Sequence, residues 1–176
     1  MKSLVIYFSR ADENYFGGAM RFINKGNTEI VAEYIQKITG ADLFKVERKI
    51  PYSKDYMTCI KEAQDEQRRN EKPELVNYLD DIEGYDVIFI GGPVYWGTLP
   101  QPMFTELERL NFNGKTVMPF TTHEGSGLAN VVGDIKKIAK GADVKSGLAI
   151  VGSTVNSCEP KLEKWIKENL DEYKKL

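Results

Sequence analysis

Apolar residues along this chain fall into two alternating rhythms. The first is a set of short, unbroken runs rich in β-formers: Leu4-Val5-Ile6-Tyr7-Phe8, Val87-Ile88-Phe89-Ile90, Thr116-Val117-Met118-Pro119-Phe120 and Leu148-Ala149-Ile150-Val151. Runs of this length without polar interruption fit strands buried on both faces of a parallel sheet. Leu43-Phe44-Lys45-Val46-Glu47 alternates only in part and reads as an edge strand. The second rhythm is helical. Ile30, Val31, Tyr34, Ile35 and Ile38 share one face, with Gly40 as the stop. Phe104, Leu107 and Leu110 repeat after Pro100 and Pro102, Leu128 to Ala139 form another stripe closed by Gly141, and Leu162, Trp165, Ile166 and Leu170 follow Pro160. From about Lys54 to Asn70 the chain is polar, with Tyr56, Met57, Ile60 and Ala63 to one side, which reads as an exposed helix.

The resulting order alternates strand and helix from end to end. It predicts a three-layer α/β/α sandwich over residues 1–176 as one domain, with a five-stranded parallel sheet in the order 2-1-3-4-5. In such sheets a ligand binds beyond the carboxyl ends of the strands, at the point where the strand order reverses. Three loops therefore carry the candidate chemistry: those after the first, third and fourth strands.

After the first strand the chain reads Ser9-Arg10, continues through residues 11–25, and opens a helix with Gly26-Asn27-Thr28. Small hydroxyl residues and glycine at a helix start either cap the helix or hold an anion on its free N–H groups and dipole. After the third strand comes Gly92-Pro93-Val94-Tyr95-Trp96-Gly97-Thr98-Leu99-Pro100. Neighbours in an extended loop point in opposite directions, so two adjacent large aromatics here cannot both join the core. They suit a wall for a flat aromatic ligand. After the fourth strand, Thr121-Thr122-His123-Glu124-Gly125-Ser126-Gly127 leads into a helix that Ser126 would cap. His123, the one histidine in the chain, is either bonded to nearby backbone or free to contact a ligand and move a proton.

Composition narrows the partners. With 24 Lys and Arg against 26 Asp and Glu, the net charge is −2 and no basic face marks a nucleic-acid binder. Lys164, Lys167, Lys174 and Lys175 alternate with Glu163, Glu168 and Glu172 as a solvated helix face. Cys59 and Cys158 have no metal-ligand spacing and read as reduced thiols of a cytoplasmic protein, so no metal is expected. No leader segment and no membrane-length apolar run is expected, because Met1-Lys2-Ser3 runs straight into the first strand.

Taken together, the three loops resemble those of the flavodoxin family. That family binds the phosphate of flavin mononucleotide (FMN) in a Thr/Ser-x-Thr-Gly-Asn-Thr loop directly after the first strand. Ser9 resembles its opening and Gly26-Asn27-Thr28 its end, with residues 11–25 inserted between. The resemblance implies cofactor contacts from Ser9, Arg10, Asn27 and Thr28. Trp96-Gly97 matches the family's Trp-Gly pair, in which the Trp stacks on the flavin and the Gly peptide can turn toward N5. The implied set extends over Pro93, Val94, Tyr95, Trp96, Gly97 and Thr98, and over Thr122, His123, Glu124, Gly125 and Gly127. The inserted segment carries Tyr15, Phe16, Met20 and Phe22, which are expected to be buried against the flavin edge or a partner. Thr98 stands where the family often has an acid, and the low net charge gives little steering toward a protein partner. Both lean toward an oxidoreductase passing electrons from NAD(P)H, or from a reductase, to a quinone-like or protein acceptor. The alternative is a single-electron shuttle between protein partners. Either a monomer or a homodimer fits, without nucleic acid or membrane.

Overall fold

A computed structural model describes residues 1–174, so Lys175 of the expected charged face lies outside the described residues. The central strands are β1 (Ser3–Tyr7), β4 (Asp42–Lys45), β5 (Val87–Pro93) and β6 (Thr116–His123). They lie side by side in the order β4-β1-β5-β6, all parallel. The place expected for a single fifth strand is shared by two short ones. β7 (Asp143–Val144) pairs with the start of β6 and β8 (Leu148–Val151) with its end, so the sheet has six strands rather than five.

Side chains alternate across each strand, and the two faces build two cores. On one face Leu4, Ile6, Ile88 and Ile90 pack with Cys59 and Ala63 of α2 (Tyr56–Arg68), Met103 and Leu107 of α3 (Gln101–Leu107), and Val131 and Ile135 of α4 (Val131–Ile138). On the other, Val5, Phe89, Met118 and Phe120 pack with Val31 and Ile35 of α1 (Asn27–Thr39) and Leu162 and Ile166 of α5 (Glu159–Asn169). This is the three-layer architecture the alternation of elements predicts.

Two local readings change. The helix expected to be exposed, α2, buries Cys59, Ala63 and Glu66 along one side. Glu66 sits there because Arg48 (Nη2–Oε2 2.9 Å) and the Tyr52 hydroxyl (2.6 Å) satisfy both carboxylate oxygens. The insertion is a β-hairpin, β2 (Asp12–Phe16) against β3 (Ala19–Ile23). Its two-residue turn, Gly17-Gly18, has φ of +61° and +78°, which glycine adopts without strain. Its aromatics are not buried as expected: Tyr15 is 46% and Phe22 70% exposed. The hairpin stands off the sheet and has no third layer to cover its outer face.

Candidate functional site

The carboxyl ends of β1, β5 and β6 open into one cavity of about 320 Å³. Of the residues singled out from sequence, Arg10, Asn27, Thr28, Pro93, Val94, Tyr95, Thr122, His123, Glu124 and Gly125 line it. Ser9, Trp96, Gly97, Thr98 and Gly127 do not, and each has a structural task nearby.

Ser9 builds the floor of the first loop. The first residue of α1 is Asn27, and Gly26 caps it without a side chain. Ser9 supplies the missing acceptor from the other side of the insertion, taking the Glu29 amide at 3.0 Å. A β-carbon on Gly26 would come 2.2 Å from the Ser9 hydroxyl oxygen, so this close approach requires glycine. Ile30 donates back to the Gly26 carbonyl. The amides of Asn27 and Thr28 therefore remain as open donors at the positive end of the helix. Thr28 is locked to Thr122 by a buried hydroxyl–hydroxyl bond of 2.8 Å, which fixes α1 against the end of β6.

The charges at this end are not those of a cationic phosphate clamp. Arg10 lines the cavity, but its guanidinium donates to the carbonyls of Glu13, Ser53 and Lys54. Lys25 is paired with Glu33 at 2.8 Å. Glu124 is the carboxylate in the lining, and it accepts the Gly17 amide at 3.2 Å, tying the hairpin tip to the loop after β6. The base of the hairpin is held as well, because the Glu13 carboxylate accepts the Tyr56 amide at 2.9 Å. Asn14 and Tyr15 of β2 thereby become part of the cavity wall.

The aromatic-glycine segment is a two-residue turn. Tyr95 and Thr98 exchange both backbone hydrogen bonds, and Trp96 (φ +53°) and Gly97 (φ +87°) occupy left-handed positions. A bulky residue there is an outlier that persists only where its surroundings hold it. The Trp96 indole donates to the Ile60 carbonyl (2.8 Å), Gln67 donates to the Trp96 carbonyl (3.2 Å), and Asn130 donates to the Gly97 carbonyl (2.9 Å). Trp96 thus leans toward α2 and stands outside the main cavity. Tyr95 turns inward, edge-on to Phe8 and Tyr52, and burial holds its hydroxyl protonated well beyond the usual range. Thr98 donates to Asp134 at 2.6 Å, so its side chain faces α4 rather than the cavity.

In the loop after β6, His123 Nδ1 accepts the Gly125 amide at 2.9 Å, the local backbone bond that was one of its two readings. An accepting Nδ1 leaves the proton of the neutral ring on Nε2. Ser126 does not cap a helix. Its carbonyl closes a turn with Ala129, and α4 starts at Val131. Gly127 accepts the Thr121 hydroxyl and braces the loop. Sequence reading did not name Asn14, Tyr56, Ser126 and Gly152 as wall residues, whereas Tyr15 of the inserted segment was expected against a ligand or partner and does line the cavity. Gly152 follows the last strand, where a loop at the sheet's carboxyl end was a usable signal. Tyr56 comes from a helix distant in sequence and carried none.

Among the described residues, no group of three or more His, Cys, Asp or Glu is placed to hold a metal ion. No helix among them is long and apolar enough to cross a membrane.

A parallel α/β sheet with helix-start amides and an aromatic-glycine turn gathered at its carboxyl end places the chain among the doubly wound α/β proteins. The family profile described as Flavodoxin matches residues 19–169, and the chain belongs to that family. Among solved structures it is similar to a protein of Bacteroides eggerthii described as a flavoprotein (26% identity, TM-score 0.74, 96% of this chain and 97% of that one). It shares its fold with a Lactobacillus acidophilus flavoprotein in complex with FMN (23% identity, TM-score 0.60, 88% and 96% covered). It also shares it with a Fusobacterium nucleatum flavodoxin bound to flavin mononucleotide (17% identity, TM-score 0.52, 98% and 99% covered). No curated protein sequence matches the chain.

Proposed function

We propose that the chain is a single-domain, cytoplasmic FMN-binding oxidoreductase that passes electrons from NAD(P)H to a quinone-like acceptor. The observation that carries the cofactor assignment is the start of α1. Two open amides at a glycine that no β-carbon could replace, with the Ser9 hydroxyl beneath them, make a helix start suited to a phosphate group. FMN fits this helix start, and it supplies the transfer of electrons between donor and acceptor.

The protein's own part is placement. Asn27 and Thr28 hold the phosphate, with Ser9 beneath them. Val94, Tyr95 and the Thr122–Gly125 loop flank the ring, while the hairpin excludes water from one side. His123 presents Nε2–H at the rim as the candidate proton donor. In an α/β cavity with a single carboxylate, Glu124, little negative charge opposes full reduction, and this favours two-electron over one-electron chemistry. Thr98 does not alter that balance, because it faces Asp134.

A reductive titration of the reconstituted protein, followed in the visible, tests the reading. The expected result is two reduction steps that overlap closely, together with NAD(P)H oxidation when a quinone is present. Two well-separated one-electron steps without such turnover would promote the shuttle between protein partners.

A second expectation concerns Glu124. Its carboxylate lines the cavity that would receive a phosphate, and the one cation among the described lining residues, Arg10, is turned to backbone carbonyls. Glu124→Gln keeps an oxygen to accept the Gly17 amide and removes the charge. FMN affinity should rise by up to about fivefold, the scale of a partly solvated charge interaction of about 1 kcal/mol. Calorimetry at low salt checks it, and an affinity that fell would place the phosphate elsewhere.

A further inference from the structure

We infer that a second cavity beside the cofactor site, walled by α2 and Trp96, is the binding pocket for the electron acceptor, and that it takes a flat, uncharged aromatic carbonyl compound of quinone type. The inference rests on the proposed FMN reading for its role, but the pocket's ligand class follows from its own walls.

This cavity encloses about 230 Å³. It adjoins the larger one through a shared set of residues: Arg10, Asn14, Tyr56, Val94 and Tyr95 line both. A ligand in the second is therefore a neighbour of a ligand in the first. The remaining walls are Cys59, Ile60, Ala63 and Trp96. Tyr56, Cys59, Ile60 and Ala63 recur at the spacing of one helix face, so α2 presents a continuous, mainly apolar stripe to the pocket. Trp96, in a left-handed conformation, adds an aromatic wall beside α2, with its indole N–H held by the Ile60 carbonyl at 2.8 Å. A strained, half-exposed indole anchored at both backbone and ring is a rigid aromatic wall rather than a core residue.

Charge selects the ligand further. No carboxylate or amine lines the pocket. Its one charged residue, Arg10, has both terminal nitrogens committed to backbone carbonyls. The other walls are uncharged, so a flat neutral ring can be buried against them at little desolvation cost. A polar group suited to recognising a carbonyl oxygen is also in the lining. The Tyr56 hydroxyl makes no hydrogen bond among the described residues and stands where the two cavities meet. Burial raises its pKa, so it stays a donor for a ligand carbonyl oxygen. The buried Cys59 thiol is likewise pushed up by burial and stays neutral, leaving the pocket apolar.

The test uses FMN-loaded, air-oxidised protein with no electron donor, titrated calorimetrically with 1,4-naphthoquinone. One site should appear. Ala63→Leu, which fills the pocket from α2, should weaken naphthoquinone at least about tenfold and leave FMN affinity within about twofold. Ile60→Phe does the same from a partly buried position outside the core, and so remains informative if Ala63→Leu does not fold. Naphthoquinone sulfonate, the anionic analogue, should bind at least about tenfold more weakly than the neutral quinone. Absence of naphthoquinone binding, or binding that both variants leave intact, overturns the inference. So does an FMN affinity that falls in parallel, which would make the pocket the flavin's own seat. An equal affinity for the sulfonate overturns the uncharged class. If the wild type fails to take FMN, the proposed cofactor fails alone, and the same variants titrated without FMN still decide what the pocket binds.

Discussion

Riboflavin is expected to bind at least about a hundredfold more weakly than FMN, a difference of about 3 kcal/mol. The two molecules differ only in the phosphate, and the start of α1 is built for that group. The Asn27 and Thr28 amides are open, and the Ser9 hydroxyl, already accepting the Glu29 amide at 3.0 Å, retains a proton to donate. Hydrogen bonds to a charged acceptor contribute about 1.5–3 kcal/mol each before desolvation is counted. Arg10 and Lys25 add little, because backbone carbonyls and Glu33 already engage them. Ser9→Ala combined with Thr28→Ala should therefore remove about 1–3 kcal/mol of FMN binding and bring FMN and riboflavin closer together. The double variant also loses the cap on α1 and with it about 1 kcal/mol of stability. Affinities must be taken by calorimetry at a temperature where both proteins remain folded. Equal binding of riboflavin and FMN by the wild type would remove the phosphate from this helix start.

The parts of the fold that were readable in the sequence are those governed by burial on both faces. Leu4–Phe8, Val87–Ile90 and Thr116–Phe120 have no polar interruption because helices cover them on each side, and each falls on a central strand within a residue or so at its start. The outer place was harder. Asp143-Val144 is too short and polar to register as a strand. Gly147, between β7 and β8, marks a close approach: an added β-carbon would come 2.8 Å from Val132 and 2.9 Å from Leu128. That contact is long-range and leaves no periodicity. The hairpin failed for a different reason. Asp12-Glu13-Asn14 has little strand propensity, and its register comes from the Gly17-Gly18 turn and from tethers to Tyr56 and Glu124. Its aromatics looked destined for burial because apolar residues usually are, yet a two-stranded ribbon covers only one side of each residue. The site loops were legible because sheet topology, rather than side-chain detail, selects them. The direction of Trp96 was not, since the Ile60 carbonyl that orients it belongs to another element.

Gly91→Ala is expected to destabilise the protein by about 3 kcal/mol, at the upper end of the usual cost of overpacking a core. Gly91 lies near the end of β5, in register with Phe120 of β6. A β-carbon there would meet the Phe120 ring at 2.2–2.4 Å. Phe120 is fully buried and has nowhere to retreat. The sheet must either spread or force the ring from its rotamer. Either response acts on the site, because β5 runs on to Val94 and Tyr95 and β6 ends in the Thr122–Gly125 segment, all of which line the cavity. FMN affinity should fall along with stability. Phe120→Leu in the same chain shortens the obstructing side chain and should restore part of both. Gly133→Ala is the matching control: it lies within α4 with nothing within 4 Å of an added β-carbon, and Ala there should add about 0.5–1 kcal/mol. Urea unfolding of the variants beside the wild type, with FMN titrations below the transition, measures these effects. A Gly91→Ala protein within about 0.5 kcal/mol of the wild type would mean that β5 and β6 are not in the register that brings the two loops together.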